Sequence, residues 1–153
     1  MTNKMKITGS APMIAVPTIL YLIATLIISG IKNPLFDIIE NDRTVIEILG
    51  VVLIIAGVIA VASCGRKLLR SFNKEKLMTD GLYKVFRDPM YASYLIFIIP
   101  GISLLFNSWL ALTTIILNYI LYLVFIRQEH KFLEDKFGDE YKKYLQKVFI
   151  KFL

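Results

Sequence analysis

Apolar positions along the chain gather into four runs separated by polar stretches. Ala11–Ile31 carries no charge, and its prolines Pro12 and Pro17 lie near its start, where a helix tolerates them. Lys4 and Lys6 precede it, as in a signal-anchor. Val45–Cys64 is charged only at Glu47, near its end. Either run, as a helix, spans the roughly 30 Å of a bilayer core. Ala92–Phe106 and Trp109–Ile126 are nearly continuous, interrupted only by Asn107-Ser108. One helix over both would rise about 52 Å, too much for a single crossing. The polar pair therefore predicts a tight helical hairpin. Trp109 then sits at the far interface, where an indole is favoured, and Pro100-Gly101 should kink the third segment. The pattern predicts an all-α integral membrane protein built as a single membrane domain. Its four transmembrane helices fall at about 11–31, 45–64, 90–106 and 109–127, followed by a C-terminal amphipathic helix over 128–149; a juxtamembrane loop spans 65–89.

Composition agrees. Of 153 residues, 56% are hydrophobic and 20% charged, and the mean hydropathy is +0.62. That excludes a disordered chain, an ordinary cytosolic enzyme and a basic nucleic-acid-binding module. A single cysteine, Cys64, excludes an internal disulfide and a Cys-rich metal site, and a single histidine, His130, excludes a multi-His metal centre. Cys64 reads as a small apolar residue at a helix end.

The net charge of +6 acquires meaning from its placement. Lys32 and Arg43 are the only basic residues of the 32–44 loop, against Asp37, Glu40 and Asp42. The 65–91 segment carries Arg66, Lys67, Arg70, Lys74, Lys76, Lys84 and Arg87, and seven more basic residues follow Ile126. Four crossings put the N-terminus, the middle loop and the tail on one side, and the basic excess assigns that side to the cytoplasm. The same charges attract anionic lipid. The apolar runs contain no ionisable residue apart from Glu47, which argues against a transporter or proton pump.

Polar chemistry is concentrated in two stretches, 77–94 and 127–144. In the first, Asp80-Gly81 is a turn signal, and Pro89 can open the third helix. In the second, Glu129-His130 marks the exit of the fourth helix. Phe132, Leu133, Phe137, Tyr141, Tyr144 and Leu145 then recur near helical spacing, with an interruption near Gly138. This predicts an amphipathic surface helix that packs over the cytosolic face. The hairpin returns the chain to its starting side, so Arg87–Tyr91 should meet Glu129-His130 at the mouth of the helix bundle. Such a place can hold a polar cofactor on one side and a lipid chain on the other.

Gly81-x-Tyr83-x-x-x-Arg87-x-Pro89-x-Tyr91, a helical hairpin, and then Glu129-x-x-x-Leu133-x-x-x-Phe137-Gly138-x-x-Tyr141-x-x-Tyr144 together resemble the isoprenylcysteine carboxyl methyltransferases and the related phospholipid N-methyltransferases. The resemblance runs from Leu77 to Tyr144. It implies S-adenosylmethionine as cofactor and a lipophilic acceptor, either a small molecule or a lipid-modified substrate, entering from the membrane lipid. The residues at this face make Arg87 and His130 the catalytic candidates, with Gly81, Leu82, Tyr83, Asp88, Tyr91 and Glu129 as candidates for binding the cofactor. Arg87 would hold an anionic group, Glu129 the cofactor's ammonium or ribose hydroxyls, and Tyr83 and Tyr91 its adenine or sulfonium. Gly81 would supply turn geometry or a close backbone approach. Two positions depart from the pattern. The usual Arg-His-Pro-x-Tyr reads Arg87-Asp88-Pro89-Met90-Tyr91, and the usual Glu-Glu reads Glu129-His130. If the two positions are neighbours, a His/Glu contact has become an Asp/His contact with its ends exchanged. Two alternatives remain open: a non-catalytic membrane scaffold or lipid-binding protein of the same fold, and a reductase-like relative using NADPH.

Overall fold

The computed structural model describes residues 10–74 and 77–151, with the side chains of 69–74 left out. Lys4, Lys6 and Lys76, used above for orientation, lie outside the described residues, and Arg70 and Lys74 are described by backbone alone. Among the described residues four long helical stretches make up the fold: α1 (Ala11–Ile31), α2 (Thr44–Lys74), α3 (Pro89–Leu105) and α4 (Trp109–Lys147). Three of them, counting α2 as far as Leu68, are long and apolar enough to cross a membrane; α3 is the shorter apolar one. Its 17 residues rise about 26 Å, the lower limit for a crossing.

Two helix ends differ from expectation. α2 does not stop at Cys64 but continues to Lys74, so Cys64 is buried within the helix rather than at its end. Gly65 is followed by Arg66-Lys67-Leu68-Leu69-Arg70, all good helix formers, and losing apolarity does not end a helix. Likewise α4 passes without a break through 127–128, where a membrane helix was expected to give way to a separate surface helix. The real discontinuity is Gly138, with φ 48° and ψ −119°, a conformation that a side chain strongly disfavours. A one-residue turn at Thr113 is the other irregularity of α4.

The kink expected at Pro100 appears one turn earlier, as a π-helical turn over Tyr94–Ile98 in which the Ile99 N–H donates to Tyr94 O. Pro100 has no N–H to offer the carbonyl four residues before it, and its ring crowds that carbonyl, so the preceding turn widens.

The hairpin is built from its two polar residues. Asn107 takes φ 49°, which Asn tolerates, and Ser108 caps α4 by accepting from Ala111 N at 3.1 Å. The Asn107 amide also fastens the 32–43 loop: its Oδ1 accepts from Ile38 N (3.1 Å) and Ile39 N (3.0 Å), and its Nδ2 donates to Ile39 O (2.8 Å). Trp109 meets Phe36 edge-on, with centroids 5.3 Å apart.

α2 packs along α3, and α1 along α4. In the first pair Gly50 and Gly101 face each other so closely that a Cβ on Gly101 would lie 2.9 Å from Gly50 O. In the second, Asn118 Nδ2 donates to Thr18 Oγ1 at 2.9 Å inside the apolar layer. α1 starts beside Tyr91 and Glu129, while its far end reaches Ser108. Ser10, the start of α3 and the 129–150 segment therefore share one end of the bundle, and the hairpin and the 32–43 loop share the other.

Candidate functional site

The site end is assembled by three elements. Pro89 opens α3 at a position where its missing N–H costs nothing, which leaves Asp88 and Arg87 just outside the helix. α4 presents Tyr122, Ile126 and His130 at steps of four along one face, with Glu129 beside them. Beyond Gly138, α4 turns so that Tyr141 and Tyr144 reach back onto the 77–87 segment. Both are buried, in a cluster with Leu77 and Val148 that Tyr83, Leu133, Phe137 and Leu145 border. The C-terminal helical segment thus covers this face as its apolar pattern implies, as a bent continuation of α4.

Three hydrogen-bonded groups adjoin. Asp88 Oδ2 lies 2.7 Å from His130 Nε2 and accepts from the Tyr122 hydroxyl at 2.7 Å. The side chains of Asp88 and His130 are 9% and 16% exposed, so this is a sheltered pair. The contact expected from the two departures in the motif is present. Next to it, Glu129 Oε2 accepts from Ser10 Oγ at 2.8 Å and from the Tyr91 hydroxyl at 3.5 Å. The Tyr91 and Tyr122 rings, 5.4 Å apart, link the two groups. In the third, Arg87 Nε and Nη2 donate to the Tyr141 hydroxyl at 3.1 and 2.7 Å. Among the described residues no carboxylate pairs with this guanidinium, although it is half-buried. The Tyr144 hydroxyl donates to Tyr83 O at 2.8 Å, which holds the loop against α4.

Arg87, Asp88, Tyr91, Glu129 and His130 are thereby brought together. Tyr83 lies beside them: burial pushes its phenol above the ordinary value, and Cys64, Asp88 and Glu129 act in the same direction. Gly81 and Leu82 stand further out, on a 3-10 turn (Gly81–Lys84) at the rim. Gly81 adopts φ 70°, and a Cβ there would strike the Lys67 ammonium. Leu82 contributes its carbonyl, which accepts from Val85 N and Phe86 N.

Four contributors are new. Tyr122 lies two helical turns before His130, and that spacing marks it in retrospect. Tyr141 and Tyr144 stand in the sequence as motif tyrosines on an apolar stripe, with packing and no polar role assigned to them. Ser10 carries no signal in the sequence.

The fold and this site define a helical protein of membrane type, with a polar, tyrosine-walled site at one end of an apolar bundle. Comparison with known proteins makes the class specific. Residues 44–140 match the model of the phospholipid methyltransferase family, and the chain belongs to that family. A probable protein-S-isoprenylcysteine O-methyltransferase of Oryza sativa subsp. indica is 30% identical over 115 residues, covering 67% of this chain and 59% of the rice protein. Protein-S-isoprenylcysteine O-methyltransferase B of Arabidopsis thaliana is 29% identical over 108 residues, covering 65% of this chain and 55% of its own length. The chain thus spans less than two thirds of these relatives. No solved structure matches it.

Proposed function

We propose that the chain transfers a methyl group from S-adenosylmethionine to a lipophilic acceptor, an isoprenoid carboxylate or a lipid, at the cytosolic face of a membrane. The observation that carries this is the meeting of Arg87, Asp88, Tyr91, Glu129 and His130 at one end of an apolar bundle. Membership of the phospholipid methyltransferase family supports it.

The donor set fits the cofactor's chemistry. A half-buried guanidinium that no carboxylate pairs among the described residues suits an anionic group. A carboxylate held by Ser10 and Tyr91 suits an ammonium or a pair of hydroxyls, and tyrosine rings suit a cationic sulfonium and a purine. When bound, the cofactor supplies an electrophilic methyl group. The rest falls to the protein. Methyl transfer is a displacement that depends on alignment and dryness more than on acid–base machinery. Glu129 and Arg87 bind, Tyr91 and Tyr122 wall the site, and the turn beyond Gly138 excludes water from above. The Asp88–His130 pair fixes the imidazole, so that an amine or hydroxyl acceptor has a base within the site; a carboxylate acceptor needs none.

The test is ligand binding by the purified protein in lipid nanodiscs, with S-adenosylmethionine, its demethylated product and NADPH. Binding of the first two and not the third is expected, and Glu129→Ala and Arg87→Ala should each weaken it about tenfold or more, the loss of one charge-assisted contact. Failure of both methyl-cycle ligands to bind would remove this function. Binding untouched by the two substitutions would refute the site.

A further inference from the structure

Among the described residues outside the membrane-spanning stretches, two large apolar side chains stand far into solvent, Leu35 in the 32–43 loop at the far end and Phe149 at the site end. Phe149 is 85% exposed, more than any other large hydrophobic residue described, and Val85 beside it is 40% exposed. Neither position is accidental, because the backbone holds both. Phe149 N donates to Lys84 O at 3.3 Å, Ile150 N to Val85 O at 2.7 Å, and Arg87 N to Ile150 O at 3.0 Å. This short parallel pairing, centred on Phe86 and Ile150, fixes 149–150 against the segment that enters α3 at Pro89. Buried Val148 anchors the same stretch from the other side. Three exposed lysines, Lys84, Lys147 and Lys151, stand within two positions of Val85 or Phe149 in the chain, and Lys84 also lies 3.8 Å from the exposed Asp80 carboxylate.

We propose that Phe149 and Val85 form an apolar foot that inserts into the anionic headgroup region of the membrane holding α1–α4. This proposal rests on the membrane placement of those helices and not on methyl transfer. A phenyl ring kept in water is unfavourable, whereas an aromatic ring at a lipid interface is favoured. The neighbouring lysines suit an anionic surface, and only two residues separate the bridged Phe86 from Pro89, where the apolar helix begins. Because the foot is bonded to residues 84–87, seating it steadies the segment that carries Arg87 and Asp88.

The experiment moves the single tryptophan of the chain. Trp109→Phe removes the native indole, and Phe149→Trp places one at the foot, an exposed position that tolerates it. The full chain is reconstituted into phosphatidylcholine vesicles containing phosphatidylglycerol. The expected result is blue-shifted emission, strong quenching by lipids brominated on their acyl chains, and acrylamide quenching several-fold below that of free tryptophan. Omitting phosphatidylglycerol should shift all three toward the aqueous values. Full acrylamide access without bromolipid quenching would overturn the proposal. Protection that depends on protein-to-lipid ratio rather than on bromolipid would overturn it too, showing a second copy on the foot. Protection indifferent to phosphatidylglycerol would refute the anionic surface.

Discussion

Asp88 is a sheltered carboxylate whose partners decide what the site can be. It receives the Tyr122 hydroxyl and faces His130, both at 2.7 Å. Both members of the Asp88–His130 contact depart from the motif this chain otherwise follows, and a contact is what an exchange of ends requires. Asp88→His together with His130→Glu should therefore bind S-adenosylmethionine closer to wild-type strength than either single change, measured by calorimetry in nanodiscs. Simple additivity of the two losses would sink the exchange idea. Tyr122→Phe tests the other partner. Removing a donor from a buried carboxylate should cost about 1.5–3 kcal/mol, seen as a lower midpoint of unfolding in detergent. An unchanged midpoint would mean that water replaces the phenol. The pair itself was legible in the sequence, since a hairpin of known length puts 88 and 130 at one level. Tyr122 was not, because a tyrosine within an apolar run looks like any other core residue until its hydroxyl has a partner.

At the level of the elements, apolar runs marked four helices and the ends of α1 and α3, but not the ends of α2 and α4. A run measures burial in lipid, whereas a helix persists until a residue cannot hold its dihedrals. α2 therefore outlasts its apolar run, and α4 continues to the one glycine whose positive φ bends it. Gly138→Ala should straighten or strain that bend, at a cost of about 1–3 kcal/mol, and draw Tyr141 and Tyr144 away from Arg87 and Tyr83. Ligand affinity should then fall together with thermal stability. A variant that loses stability while binding normally would show that the cover is dispensable. The α2–α3 seam is open to the same kind of test. Gly101→Ala puts a methyl 2.8 Å from Ile54 Cγ1 and 2.9 Å from Gly50 O, and overpacking there should cost about 1–3 kcal/mol. Gly65→Ala, also helical but with open space around its Cβ, should be neutral or stabilising by up to about 1 kcal/mol. Equal effects at the two glycines in a denaturation series would mean that the helices do not meet at Gly101.

Over the whole molecule, the distribution of charge and the folding of the chain bear on the same question from independent directions. Hydrogen bonds place Ser10, Arg87, Glu129 and the tail at one end of the bundle, and Asn107, Trp109 and the 32–43 loop at the other. Fourteen of the eighteen basic residues belong to the two segments at the site end, 65–91 and 127–151. The opposite loop is net acidic, and its Asp37 is paired with Arg43. Basic residues near membrane helices resist translocation, so the site end should face the cytoplasm, where an anionic leaflet adds to the attraction. Cysteine labelling tests this, with the buried native Cys64 changed to Ser. Lys84→Cys stands at the site end and Leu35→Cys at the far end, both at exposed positions. In intact cells a membrane-impermeant maleimide should label Leu35→Cys at once and Lys84→Cys only after permeabilisation. The reverse pattern would turn the site outward and away from cytosolic S-adenosylmethionine. Labelling of both positions in intact cells would mean that the two ends lie on one side, and that α3, at about 26 Å, enters the membrane without crossing it.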